Sequence, residues 1–318
     1  MNVYLSFDTE VWCNDWSALD ARFPSSLERY SRGRSKHGDY ALPKTLDILN
    51  RHGLVGVFFV EPLFSARFGS EHLKTITDPI TAAGQDIQLH VHAEWTDEIR
   101  PALLENVSAK RQHLTLYSVD EQAMLLAHAR GLLEAATGRP VSAFRAGSFA
   151  ANRDTYRALQ RCGIGVDSSL NALNDFAGGS LGDLSRHTPC RIVEGVTVYP
   201  VTVFGDGLGR LRPAQVGACG FAELRQAMGQ AQARGEQHFV IVSHNFEMLK
   251  PGSSQPDWVV VRRFEKLCEF LAANRDRFQV GPYPVTVPQA LPGDQTRLSV
   301  PLLPTVARVA AQLRRRLG

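Results

Sequence analysis

Short apolar runs of strand length alternate along this chain with longer segments whose apolar residues recur at helical spacing. VYLSF (3–7), VGVFFV (55–60), DIQLHVH (86–92), SAFRAG (142–147), IGVDSS (164–169), VTVYPVTVF (196–204) and HFVIVSH (238–244) predict strands. Helices are predicted over 42–53, over 70–84 with a break at Pro79, and over 118–138, 152–163, 220–235 and 257–274. The 118–138 segment is the best marked, with Ser118 as N-cap, Glu121 closing a capping box and Gly138 ending it. Strands alternating with helices imply a mostly parallel sheet, closed or nearly closed. The expectation is an α/β fold, a distorted TIM-like (β/α) barrel of about seven strands in a single domain. That barrel spans 1–295, followed by a basic amphipathic tail over 296–318. Polar residues 11–40 and the loop-rich stretch 170–195 read as long loops, candidate lids.

The unusual polar residues stand at the C-terminal ends of the predicted strands. They are Asp8 and Glu10, His90 and His92, Arg145, Asp167, and His244. In parallel α/β barrels those ends converge on the active-site face. Five strands, far apart in sequence, thus deliver ionisable groups to one rim.

Asp8 and Glu10 are two apart, so in extended backbone both carboxylates point to one side. His90, His92 and Glu94 share that phase if the strand continues through Glu94. If a helix begins near His92, Glu94 folds back beside His90 instead. Imidazole and carboxylate together suit zinc or another divalent first-row cation. Arg145, behind two apolar residues, needs a carboxylate or an anionic substrate, because burying its charge unpaired is costly. Asp167 either pairs with Arg145 or caps the next segment. His244 is suited to proton transfer near neutral pH. A GxGxxG after a strand, a P-loop and GxSxG are all absent, which removes support for nucleotide binding and for Ser-His-Asp hydrolysis.

Composition narrows the picture further. The 318 residues are 44% hydrophobic, with a mean hydropathy of -0.16, as in soluble globular proteins. Lys plus Arg exceed Asp plus Glu by 35 to 32, so nothing demands a nucleic-acid partner. Five scattered cysteines without a CxxC argue against a disulfide framework and fit a reducing compartment. MNVYLSFDTE reads as a first strand rather than a signal peptide, and no stretch approaches the roughly 18 apolar residues of a membrane span. The expected location is cytoplasmic. LLPTVARVAAQLRRRLG (302–318), with apolar residues at roughly helical spacing and four arginines, is either a solvated helix or a peripheral docking element for an anionic membrane.

The order of these pieces resembles the polysaccharide deacetylases of the NodB-homology group, carbohydrate esterase family 4. SFDTE is similar to that family's acidic TFDD-like strand end, and His90 to Glu94 to its H-x-x-x-H pair. RAGSF resembles an R-x-P-Y element, VDSS an Asp-containing element and IVSH a final L-x-x-H. The resemblance spans residues 5 to 246. It implies metal-dependent hydrolytic N-deacetylation of an N-acetylated sugar or glycan intermediate, in surface polysaccharide or glycolipid metabolism. Asp8 would then be the general base. Thr9 follows it where the family carries a second acid, so Glu10 is the candidate ligand. His90 matches the first histidine ligand, and either His92 or Glu94 completes the set. Arg145 would hold Asp8, Asp167 would orient the general acid, and His244 would protonate the leaving amine or stabilise the oxyanion. Zinc leads as the metal, with cobalt also admissible; a Glu, His, Glu set is harder and would favour manganese, magnesium or calcium. Two rival readings are an allantoinase-like small-molecule amidohydrolase and a carbohydrate-binding relative without turnover. Trp12, Trp16 and Trp95, near the motifs, are candidates for stacking on sugar rings.

Overall fold

Alternating strands and helices are what the chain forms. A computed structural model describes residues 1–105, 107, 109–173, 190–284 and 297–317. In chain order come β1 (Asn2–Thr9), α1 (Leu19–Ser31), β2 (Arg34–Ser35), β3 (Gly38–Asp39), α2 (Leu42–Arg51) and β4 (Val57–Val60). Next are α3 (Ser65–Phe68), α4 (Ser70–Ala82), β5 (Asp86–Val91), α5 (Val119–Thr137), β6 (Ala143–Ala146), α6 (Arg153–Arg161) and β7 (Val166–Asp167). Then follow β8 (Arg191–Val193), β9 (Val196–Val198), β10 (Val203–Gly205), β11 (Leu211–Pro213) and α7 (Phe221–Ala233). The last are β12 (His238–His244), α8 (Trp258–Ala273), β13 (Gln279–Val280), β14 (Leu298–Ser299) and α9 (Leu302–Leu317). The fold is mixed α/β and rich in parallel strands.

The chain forms two compact units. The first comprises Met1–Gly56, Thr202–Pro282 and Leu291–Gly318. Here β1 is buried from Val3 onward, as a parallel strand covered on both faces requires. It pairs in parallel with β12, from Asn2 opposite His238 to Asp8 opposite His244, and also with β13. The register therefore brings two strand-end groups side by side. Phe7 meets Phe264 of α8 edge-on at 5.7 Å in the core.

The second unit comprises Val57–Val201 and Tyr283–Ala290. β4, β5, β6, β7 and β9 are successive parallel neighbours, and β8 pairs antiparallel with β9. The register sets His90 opposite Arg145. α5 starts with the Ser118–Glu121 capping box and ends at Gly138 with φ of 65°, as its sequence predicts.

Three local expectations fail for identifiable reasons. Residues 11–40 are not one long loop, because Leu19, Phe23, Leu27 and Tyr30 recur at helical spacing and bury one face of α1. Pro79 does not break α4, which runs on to Ala82; so near the end of a helix, a missing N–H and a ring clash disturb few bonds. The expected single strand at 196–204 divides into β9 and β10 around Pro200, which has no N–H for a ladder. Residues 174–189 of the other expected lid lie outside the described residues.

The C-terminal helix is not merely solvated. The Arg308 side chain, 2% exposed, donates from Nη2 to Asp206 at 2.8 Å and from Nε to Glu223 at 3.0 Å. Thr305 Oγ1 donates to Glu223 at 3.0 Å and accepts from the Gly207 N–H at 2.9 Å. Arg315 pairs with Asp257, the N-cap of α8. Among the described residues, no helix is long and apolar enough to cross a membrane.

Candidate metal centre

The second unit carries two oriented imidazoles. At the end of β5, His90 Nδ1 lies 2.8 Å from the carbonyl oxygen of Arg145. A carbonyl can only accept, so Nδ1 carries the proton and Nε2 carries the lone pair. Metal-binding histidines are commonly fixed in this way by an acceptor on the other ring nitrogen. His92 caps a short 3-10 helix, Ala93–Glu98, and its Nδ1 lies 3.3 Å from the Glu94 carboxylate. The same logic applies there. The backbone turns at His92, so Glu94 folds back onto His92, not His90. The two rings stand nearly perpendicular, 4.8 Å apart, and both are buried.

Gly147, just past β6, makes room for this arrangement. A Cβ there would fall 2.7 Å from His92 Nδ1. Gly147→Ala is therefore expected to displace the imidazole and weaken metal affinity about 10- to 100-fold, as loss of orienting contacts does. Titration with zinc, alongside an unchanged circular-dichroism spectrum, checks this. Ser148 and Phe149 follow with φ of 55° and 58°, left-handed conformations that cost non-glycine residues about 1–3 kcal/mol each.

Arg145 is wholly buried. It donates from Nε to the Ser168 carbonyl and from Nη2 to Ser168 Oγ, both at 3.0 Å. Its guanidinium lies 4.3 Å from the centre of the Phe59 ring. Asp167, also wholly buried, accepts from the Ser169 N–H at 2.9 Å and from Ser169 Oγ at 2.5 Å. Burial pushes its carboxyl up to about 6, against the Ser169 bonds and the charge of Arg145. Ser169 Oγ in turn accepts from the Ala146 N–H at 2.8 Å, so Asp167 fixes the strand end that bears Arg145.

The first unit supplies acids and a proton carrier. Asp8 and Glu10 are buried at 3% and 6% exposure at the end of β1. Asn245 holds that end: its N–H donates to the Asp8 carbonyl at 3.2 Å, and its side-chain amide donates to the carbonyls of Tyr30 at 2.6 Å and Glu10 at 3.4 Å. His244 Nδ1 lies 3.1 Å from Glu247. Glu247 also accepts from Ser243 Oγ at 2.9 Å, the Gly217 N–H at 2.8 Å and the Gln215 amide. Burial alone would lower the His244 pKa. The Glu247 bond and charge, with the charges of Glu10 and Asp8, outweigh burial and raise it to about 9. Glu247 is the partner that sequence reading overlooked. Its one signal was its place three residues after a strand-end histidine.

Glu10, His90 and His92 each offer one ligand atom, and the three atoms lie within 4.8 Å of one another. One carboxylate with two imidazoles is a fitting donor set for zinc, manganese or cobalt, and the fixed ring tautomers support the fit. Glu94 is not part of that group. Trp95 is 3% exposed and packs against Phe64 and Phe68, so it belongs to the core and not to a sugar platform. Trp12 and Trp16 are half-buried.

No family model matches this sequence, and no curated protein does. The fold is nevertheless recognisable, and it is the (β/α)-barrel-like fold of the polysaccharide deacetylases. A Mycobacterium smegmatis structure described as a polysaccharide deacetylase matches with a TM-score of 0.56 and 19% identity, over 88% of this chain and 86% of that one. At such identity the likeness establishes the fold alone. A family 4 carbohydrate esterase from Streptomyces lividans, in complex with acetate, aligns over 92% of this chain and 98% of that one with 13% identity and a TM-score of 0.42. A family 4 pseudoenzyme from Bacillus anthracis aligns over 87% and 62%, with 13% identity and a TM-score of 0.41.

Proposed function

We propose that the chain is a divergent metal-dependent N-deacetylase acting on an N-acetylated sugar or glycan intermediate of surface polysaccharide or glycolipid metabolism. The observation that carries this reading is the buried group of Glu10, His90 and His92, with each imidazole engaged through Nδ1. A divalent ion held there would supply Lewis-acid polarisation and an acidified water. Zinc, manganese and cobalt suit these donors better than magnesium or calcium. Glu94 orients His92.

The remaining steps belong to the chain. Asp8 takes a proton from the attacking water as its oxygen bonds to the acetamide carbonyl carbon. His244, held as imidazolium by Glu247, gives a proton to the nitrogen as the C–N bond breaks, leaving acetate and an amine. Arg145 positions Asp8. Asp167, through Ser169, steadies the strand end that carries Arg145. The five free cysteines fit a cytoplasmic setting.

Acetate release from a panel of N-acetylated sugars, after stripping and reloading with each candidate ion, tests the reading. Release that returns with metal is expected; release indifferent to stripping contradicts it. A further variant isolates the proton donor. Glu247→Gln removes the bond and charge that raise the His244 pKa, so the imidazolium deprotonates at lower pH. The alkaline limb of kcat should move down by about one to two pH units, so that kcat falls about 5- to 50-fold at pH 9 but no more than about twofold near neutrality. A pH–rate profile reads both effects.

A further inference from the structure

α9 faces the protein with the side that composition would assign to solvent. Its inward residues are mostly polar: beside Pro304, Thr305 and Arg308 are buried, bonded to Glu223 and, for Arg308, to Asp206 as well. Gln312 donates to the Ala218 carbonyl at 3.3 Å. Its outward residues are aliphatic: Leu302 is 52% exposed, Leu303 79%, Val306 52%, Val309 37% and Leu313 55%. Positions 302, 306, 309 and 313 form one helical row. Leu208, 57% exposed, follows Gly207, whose backbone lies against that of Leu302 at the start of the row. A contiguous apolar row of this kind is uncommon on a protein that meets only water.

Charge selects the occupant. The sequence has no acidic residue after Asp294; Arg308 and Arg315 are taken up by Asp206, Glu223 and Asp257, and arginines also stand at 297, 314 and 316. Arg314, exposed, stands next to the end of the row. A second copy of the chain would offer the same aliphatic row and the same exposed arginine, with no acidic side chain in that segment to answer it. A surface that is apolar inside and anionic at its headgroups answers both features. We infer that α9 is a docking surface for an anionic lipid bilayer. The helix lies along the membrane with its 302–313 row at the boundary between headgroups and acyl chains. The ion pairs of Arg308 are what keep that row turned outward. This inference is independent of the deacetylase reading.

Sedimentation with lipid vesicles tests it, using the full chain. Vesicles with about a third phosphatidylglycerol should pull the protein down, while phosphatidylcholine alone should not, and added salt should weaken binding. Val306→Glu combined with Leu313→Glu should cut partitioning at least about tenfold, and Arg314→Gln about fivefold. Both variants alter exposed side chains, and an unchanged melting temperature confirms that each is folded. Failure of the wild type to sediment with anionic vesicles overturns the inference. So does equal binding by the doubly substituted variant. A wild-type dimer in analytical ultracentrifugation that Val306→Glu converts to monomer also overturns it, by giving the face to a second copy.

Discussion

Replacing His90 with alanine is expected to leave a folded protein that retains no divalent ion and releases acetate at least about a thousandfold more slowly. His90 is one of three residues whose ligand atoms converge within 4.8 Å. Two remaining donors make a poor site, since catalytic zinc sites ordinarily use three protein ligands. Without the ion, both carbonyl polarisation and acidification of water are lost, each worth several kcal/mol. The cost to folding is much smaller. The variant loses the bond from Nδ1 to the Arg145 carbonyl, about 1–2 kcal/mol in a buried setting. Elemental analysis, an acetate assay and a thermal melt together separate loss of the site from loss of the fold. Glu94→Gln should be milder, because it disturbs the orientation of His92 and removes no member of the group.

The second large effect is on stability. Arg308→Ala should destabilise the protein by about 3–5 kcal/mol, a fall in melting temperature of roughly 10 °C. The guanidinium is enclosed, and its loss leaves the buried carboxylates of Asp206 and Glu223 short of a countercharge. Asp206 keeps Arg212 and the N–H groups of Leu208 and Arg210, while Glu223 keeps Thr305 and the Gly220 N–H. Those bonds place the expected loss towards the lower end of the range. Arg308→Lys should recover only part of it, because a point ammonium cannot match two acids as a forked guanidinium does. Differential scanning calorimetry of the three proteins decides the order. The damage should centre on α9, which limited proteolysis would register as earlier cleavage after residue 300.

What the sequence makes legible follows from how local each signal is. The runs ending at Asp8, His90, Arg145, Asp167 and His244 are strands because short apolar runs leave few other options, and a polar residue at the end of such a run stands out. The Ser118–Glu121 capping box lies within four residues and is realised as read. α1 escapes because its buried residues are diluted by polar ones and interrupted by Pro24. Glu247 escapes because a carboxylate in a turn looks like any solvated acid until Ser243, Gly217 and His244 close around it. Arg308 shows the deepest limit. Periodicity reveals that α9 has two faces, but which one turns inward depends on Asp206 and Glu223, about a hundred residues away in sequence.

The central claim is that Glu10, His90 and His92 hold a catalytic metal ion. Equilibrium dialysis of the stripped protein against zinc, manganese and cobalt, with Glu10→Ala in parallel, tests it most directly. Binding of one ion per wild-type chain, lost in the variant, is the predicted result. Wild-type protein that takes up no ion, or a variant that binds as the wild type does, would contradict it.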